Sequence, residues 1–179
     1  MKKILLLLIV SFIVVALPAQ TLTPVDAASS VKFTIKNFGL KVDGSMKGLQ
    51  GKIIFNPAGL ATASFTVSAD AATINTNNET RDNHLKKEEY FDVAKYPRLQ
   101  FISTKIAATN NPAVFKMEGN ITIKGITKLL SFPFTVVEKP DGQMFSGEFT
   151  INRRDFKVGG NSLVLSDNLI VSLSVFAKK

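Results

Sequence analysis

Val31-Lys32-Phe33-Thr34-Ile35-Lys36 decides how this chain folds. Apolar Val31, Phe33 and Ile35 alternate with polar Lys32, Thr34 and Lys36. That is the two-residue period of a strand with one buried face and one wet face. The same period recurs along the chain. Ala63, Phe65, Val67 and Ala69 alternate with Ser64, Thr66, Ser68 and Asp70, and Ile121 and Ile123 with Thr122 and Lys124. Phe145, Gly147, Phe149 and Ile151 alternate with Ser146, Glu148, Thr150 and Asn152. Leu169, Val171, Leu173 and Val175 form a further set whose inner face is blurred by Ile170 and Phe176. Strands are also predicted over 42–55, 99–106, 114–117 and 129–137. Turn signals such as Asn56-Pro57, Pro140-Asp141-Gly142 and Gly159-Gly160-Asn161 separate them. Pro133 lies inside one of these runs and predicts an edge position or a bulge. Gly44, Gly48 and Gly51 predict a bend or bulge in another.

One segment breaks the period. Thr76-Asn77-Asn78-Glu79 fits a capping box, and a polar helix is predicted from 79 to about 89. The inventory is eight antiparallel strands and one inserted helix in an all-β domain. Such a meander admits a sandwich or a closed barrel. An eight-stranded barrel is wide enough to pack its own side chains or to hold one small ligand. A membrane-spanning barrel fits less well. Lys32 and Lys36 oppose the apolar set, and a lysine facing lipid at mid-depth costs roughly 2–4 kcal/mol.

The chain has 179 residues, with 22 Lys+Arg against 14 Asp+Glu, one His, no Cys, no Trp and fourteen Phe. Zero Cys excludes disulfides, thiolate metal sites and cysteine nucleophiles. One His excludes a multi-histidine centre, and the sequence points to no cofactor and no metal. Met1-Lys2-Lys3, the run 4–17 that is apolar except for Ser11, and Pro18-Ala19-Gln20 read as a secretory signal peptide over residues 1–19. The run is shorter than the about 20 residues a spanning helix needs. Cleavage after Ala19 leaves residues 20–179 as one domain, and the net charge falls from +8 to +6 with Lys2 and Lys3. The expected location is periplasmic or secreted. The lysines are scattered, with no aromatic-basic stripe, so nucleic acid is not an expected partner. An anionic membrane surface is a more reasonable one.

Catalytic motifs are scarce. Gly51-Lys52 is followed by Ile53 where a phosphate loop needs Ser or Thr. The one chemically varied cluster is Arg81-Asp82-Asn83-His84-Leu85. Arg81 and His84 suit an anionic head group. His84 near Asp82 would suit a general base. The plain alternative is a helix whose first turn carries Asp82, whose Leu85 is buried and whose charges face water. A lone histidine without a nucleophile argues weakly for catalysis.

Thr76, Arg81-Asp82-Asn83-His84-Leu85, Tyr90-Phe91-Asp92-Val93, Tyr96-Pro97 and Phe101-Ile102-Ser103-Thr104 together resemble the central signature of the YceI-like family. Gly119-Asn120-Ile121-Thr122-Ile123-Lys124-Gly125-Ile126-Thr127-Lys128, Ile151-Asn152-Arg153-Arg154-Asp155-Phe156 and Leu165-Ser166-Asp167 extend the resemblance in the same order, from about residue 23 to the end. Leu129 and Lys157 depart from the family pattern at strand ends or turns. The resemblance implies an exported, lipocalin-like, eight-stranded antiparallel barrel that binds a polyisoprenoid, a quinone or a fatty amphiphile without catalysis. On that reading Phe33, Ile35, Phe65, Val67, Phe101, Ile121, Ile123, Phe134, Phe149 and Ile151 are expected to line the ligand, with Arg81 and His84 at a head group. Arg153 and Arg154 are alternatives for the head group. The competing expectation is a structural or stress-related barrel with a filled core and no ligand. A chain of about forty carbons would gain roughly 30 kcal/mol over water at 0.8 kcal/mol per CH₂. That is beyond the ceiling of about 18–21 kcal/mol, so a bilayer is the relevant reference state.

Overall fold

The computed structural model describes residues 20–179. The expected signal peptide, residues 1–19, lies outside the described residues. Nine strands are present among the described residues: β1 (Thr21–Pro24), β2 (Ser30–Asn37), β3 (Leu40–Ile54), β4 (Ser64–Asn75), β5 (Arg98–Ala108), β6 (Val114–Ile123), β7 (Ile126–Lys139), β8 (Gly142–Asn152) and β9 (Leu165–Lys178). Eight of them close a barrel in the order β3-β2-β9-β8-β7-β6-β5-β4, and β4 pairs back onto β3. The ninth, β1, finishes the stave that β2 begins. Thr23 and Pro24 pair with Lys178 and Ala177, while β2 starts at the Ser30–Ser174 pair. A single turn of 3₁₀ helix, Asp26–Ala28, separates the two pieces. The Asp26 carboxylate accepts the Leu49 N–H at 2.8 Å and ties this turn to β3.

The alternation reads the walls correctly. Phe33 pairs with Gly44 and Val171, and Ile35 with Val42 and Leu169, so these side chains share the inner face. The Phe33 ring lies over Gly44, where a Cβ would collide with it. On β9 the odd-numbered residues point inward and Ile170 is exposed. The β3–β4 ladder shifts register twice between Ser45 and Gln50, around Gly48 at φ +71°. That is the bulge expected of this glycine-rich stretch. Pro133 sits at a local edge of β7, because residues 126–133 pair with β6 but not with β8. It lies inside β7 opposite Lys116, and the β7–β8 ladder stops beside it at the Phe134–Gly147 pair. Without an N–H, Pro133 has no donor to extend that ladder.

The predicted capping box is corrected. The helix, α1 (Glu79–Leu85), is shorter than expected and is capped by Asn78, whose side chain accepts the Arg81 N–H at 2.9 Å. Thr76 bonds Asp82 instead, through both its N–H and its hydroxyl. Asn and Thr are both strong cap formers. The buried Thr76–Asp82 pair, six residues apart, commits Thr76 elsewhere and leaves the cap to Asn78.

The two ends of the barrel differ. At the lower end, where Thr21 and Lys178 lie, Phe55, Phe65, Phe115, Phe134 and Phe145 pack edge to face or tilted, with neighbouring centroids 5.1–6.3 Å apart. Such contacts stabilise beyond area burial alone. At the upper end two covers fold over the barrel, the segment 76–97 containing α1 and the turn 153–158. The Gly159 N–H donates to the Glu89 carbonyl at 2.8 Å and joins them.

Candidate functional site

Inward-facing residues are not equally buried. Phe65, Ile106, Met117, Phe132, Phe134 and Phe145 are buried. Val31, Phe33 and Ile35 on β2 and Leu169, Val171, Leu173 and Val175 on β9 face the same interior yet are only half-buried. They border a hollow of about 270 Å³ with almost wholly apolar walls. The hollow stands on the phenylalanine floor and rises along β2 and β9. Ile35, Asn37, Val42, Leu165 and Leu169 line its top and are all part exposed, and this rim at the β2–β3 hairpin and the start of β9, beside the two covers, is taken as its mouth.

Phe33, Ile35, Phe65, Val67, Phe101, Ile121, Ile123, Phe134, Phe149 and Ile151 all stand around this hollow. Phe65 and Phe134 form part of its floor. Phe101, Phe132 and Phe149 make its mid-height wall, with Phe132 and Phe149 centroids 4.8 Å apart. Sequence reasoning missed the lid. Leu85, Tyr90 and Phe91 from the α1 segment, and Phe156 and Val158 from the second cover, close the top. Their signal was present in the apolar residues spaced through an otherwise polar insert.

The charged residues separate cleanly. Arg81 lines the hollow. Its Nε donates to the Thr76 hydroxyl at 2.7 Å and one Nη2 N–H to the Thr76 carbonyl at 2.8 Å. With five N–H donors on a guanidinium, three remain without a hydrogen-bond partner among the described residues. His84 stands elsewhere. It is about half exposed, pairs with Glu89 at 2.9 Å and packs edge-on against Tyr90. It does not line the hollow and has no nucleophile in its hydrogen bonds. The Glu89 carboxyl is held below its ordinary range, first by its own backbone N–H and then by His84. Arg153 is 4% exposed, and all five of its donors are used. They reach the carbonyls of Ser166, Val158, Gly160 and Leu165 and the Asp167 carboxylate. It clamps the loop before β9 and has no donor left for a head group. Arg154 is exposed and shares Asp167.

Fold and site together define a closed antiparallel barrel with an apolar chamber and a lid; of Lys32, Arg81 and Arg153 at the chamber wall, Arg81 combines a place beside the lid with open guanidinium donors. The chain belongs to the YceI-like family, whose family model, described as YceI-like domain, matches residues 22–177. A UPF0312 protein of Pseudomonas savastanoi is 30% identical over 137 residues, covering 73% of this chain and 71% of that protein. A UPF0312 protein of Staphylococcus aureus is 29% identical over 157 residues, covering 83% and 88%. Among solved structures, the YceI protein of Campylobacter jejuni is 31% identical with a TM-score of 0.69, covering 77% of this chain and 85% of that one. BcnA of Burkholderia cenocepacia has a TM-score of 0.82 at 24% identity, covering 87% and 99%. A polyisoprenoid binding domain from Saccharophagus degradans has a TM-score of 0.71 at 13% identity, covering 88% and 97%. At those last two identities the likeness is one of fold.

Proposed function

We propose that this barrel binds the apolar chain of an amphiphile and carries or stores it in an exported compartment, without converting it chemically. The observation that carries this reading is the chamber itself, apolar-walled and bordered by inward residues that are only half-buried. The fold shared with a polyisoprenoid binding domain supports an isoprenoid chain; a quinone tail or a fatty chain has the same chemistry. Size limits the ligand. A 150 Å³ cavity takes a six-carbon ring. By that measure a chamber of 270 Å³ encloses about eleven carbons. Their burial is worth about 9 kcal/mol relative to water at 0.8 kcal/mol per CH₂. A longer chain keeps its remainder at the mouth. Relative to a bilayer the transfer is near neutral, so the ligand exchanges with a membrane.

An anionic head group sits at Arg81, where the unpartnered guanidinium donors form a fork for two oxygens. His84 has no part in it. Native mass spectrometry and lipid extraction of purified residues 20–179 test the reading. The expected result is a co-purifying amphiphile, or uptake of an added isoprenoid, with Arg81→Gln weakening a phosphorylated chain more than the matching alcohol and His84→Ala changing neither. No lipid and no uptake would leave a filled structural barrel. Turnover of a bound lipid lost in His84→Ala would make the protein an enzyme.

A further inference from the structure

The mouth of the chamber carries an apolar surface that the interior does not use. Eight large apolar side chains are exposed among the described residues, and four of them, Phe38, Leu40, Leu163 and Val164, gather beside this opening. Phe38 is 73% exposed, Leu40 72%, and Leu163 is fully exposed. The tip of the β2–β3 hairpin and the loop before β9 are joined here, since the Phe38 N–H donates to the Val164 carbonyl at 2.9 Å. Phe38 also has a conformation that disfavours it. It sits at φ +50°, followed by Gly39 at φ +76°. Two-residue hairpin turns with both central residues at positive φ favour Asn-Gly or Asp-Gly, and a bulky residue there is an outlier. A ring is held out into solvent at a position where a small polar residue would be easier to place.

Charge frames the same tip. Lys36 and Lys41 are paired directly across the β2–β3 ladder, both exposed. Like charges placed opposite each other are destabilising, and neither lysine is in a salt bridge among the described residues. An anionic surface would relieve that repulsion. A second copy docked face to face would double it by bringing two such pairs together. Four side chains are also few beside the 20–30 residues per partner of a stable protein interface.

We infer that Phe38, Leu40, Leu163 and Val164, flanked by Lys36 and Lys41, form a docking surface that seats the mouth of the barrel on an anionic lipid bilayer. The apolar tip enters the boundary between head groups and acyl chains, and the lysines meet the anionic head groups. Ile35, Asn37, Val42 and Leu165, which line the mouth, adjoin this tip in the chain. A chain leaving the chamber therefore emerges into the membrane instead of water. The inference rests on the proposed binding of an apolar chain for its purpose, but docking is measured separately.

Residues 20–179, which carry every strand of the closed sheet, are floated with vesicles of phosphatidylglycerol and phosphatidylcholine, and with phosphatidylcholine vesicles alone. Binding of geraniol without vesicles is measured in parallel. The expected result is binding to the anionic vesicles and much less to the neutral ones. Lys36→Gln/Lys41→Gln should weaken it by ~25-fold, since each lysine near an anionic leaflet contributes about 1 kcal/mol, a factor of about five. Phe38→Ser/Leu163→Ser should weaken it at least tenfold, and both variants should keep their geraniol affinity within twofold. No binding of the wild type to anionic vesicles overturns the inference, as does flotation of both variants at the wild-type level. A wild-type dimer that Phe38→Ser/Leu163→Ser converts to monomer also overturns it and assigns the patch to a second copy. Vesicle binding without any geraniol binding would keep the docking surface and remove the proposed ligand.

Discussion

The lower and upper halves of this barrel solve one problem with different side chains. Below, inward positions carry Phe55, Phe65, Phe115, Phe134 and Phe145, whose rings touch one another and leave no room. Above, equivalent positions on β2 and β9 carry Val31, Ile35, Leu169, Val171 and Leu173, and a hollow remains. Both halves are apolar and alternate with the same period. The difference is how the side chains meet: below, five rings interlock, whereas above, the rings of Phe33, Phe101 and Phe149 and the aliphatics of β2 and β9 stand around the hollow without filling it. A floor built this way sets the depth of the chamber, and with it the length of chain that fits.

The largest expected effect comes from breaking the floor. Phe65 is 6% exposed and packs on Phe55, Phe134 and Phe145. Phe65→Ala should destabilise the fold by about 3–5 kcal/mol in urea unfolding, and the survivors should accept a longer chain. A loss below about 1 kcal/mol would mean that the floor is not packed as described. The upper half should respond in the opposite sense. Leu169→Phe puts a ring into the hollow beside Ile35 and Ile151. Overpacking a full core costs about 1–3 kcal/mol, whereas here stability should change by less than about 1 kcal/mol and chain uptake should fall at least tenfold. If stability drops as in a full core, the hollow is absent.

The smallest effect concerns the turn that splits the first stave. The Asp26 carboxyl is held below its ordinary range, chiefly by the Leu49 N–H. Its folded pKa is therefore lower than its unfolded one, near 3.9. The stability it supplies is present above the unfolded value and is lost as pH falls through the folded value. Asp26→Asn should thus be less stable than the wild type at pH 7. The difference should vanish in strong acid, as read from thermal unfolding across pH. A difference that persists at the lowest pH would assign the effect to packing.

The walls were legible because alternation at Val31, Phe33 and Ile35 is imposed by burial of one face, whatever lies inside. The hollow was not legible. An inward Val at 171 and an inward Phe at 145 are both simply apolar in sequence, and only the cross-barrel distance tells lining from filler. The cap was misread at Thr76 because its hydroxyl bonds the Asp82 side chain in the first turn of the helix, which leaves Asn78 as the cap. In sequence, Arg81 and His84 were the expected head-group residues and Arg153 and Arg154 the alternatives. The fold separated them by what their donors already hold: Arg153 saturated, His84 outside on Glu89, Arg81 with three donors open at the chamber wall.

The central claim is a chamber of fixed depth above a packed floor. Affinities of residues 20–179 for isoprenoid alcohols of increasing length test it most directly, measured calorimetrically against one detergent reference. The account predicts that affinity rises up to a chain of about eleven enclosed carbons and then levels off, with Phe65→Ala moving the break to longer chains. Binding of none of these alcohols, or an affinity that climbs steadily with length and shows no break, would contradict it.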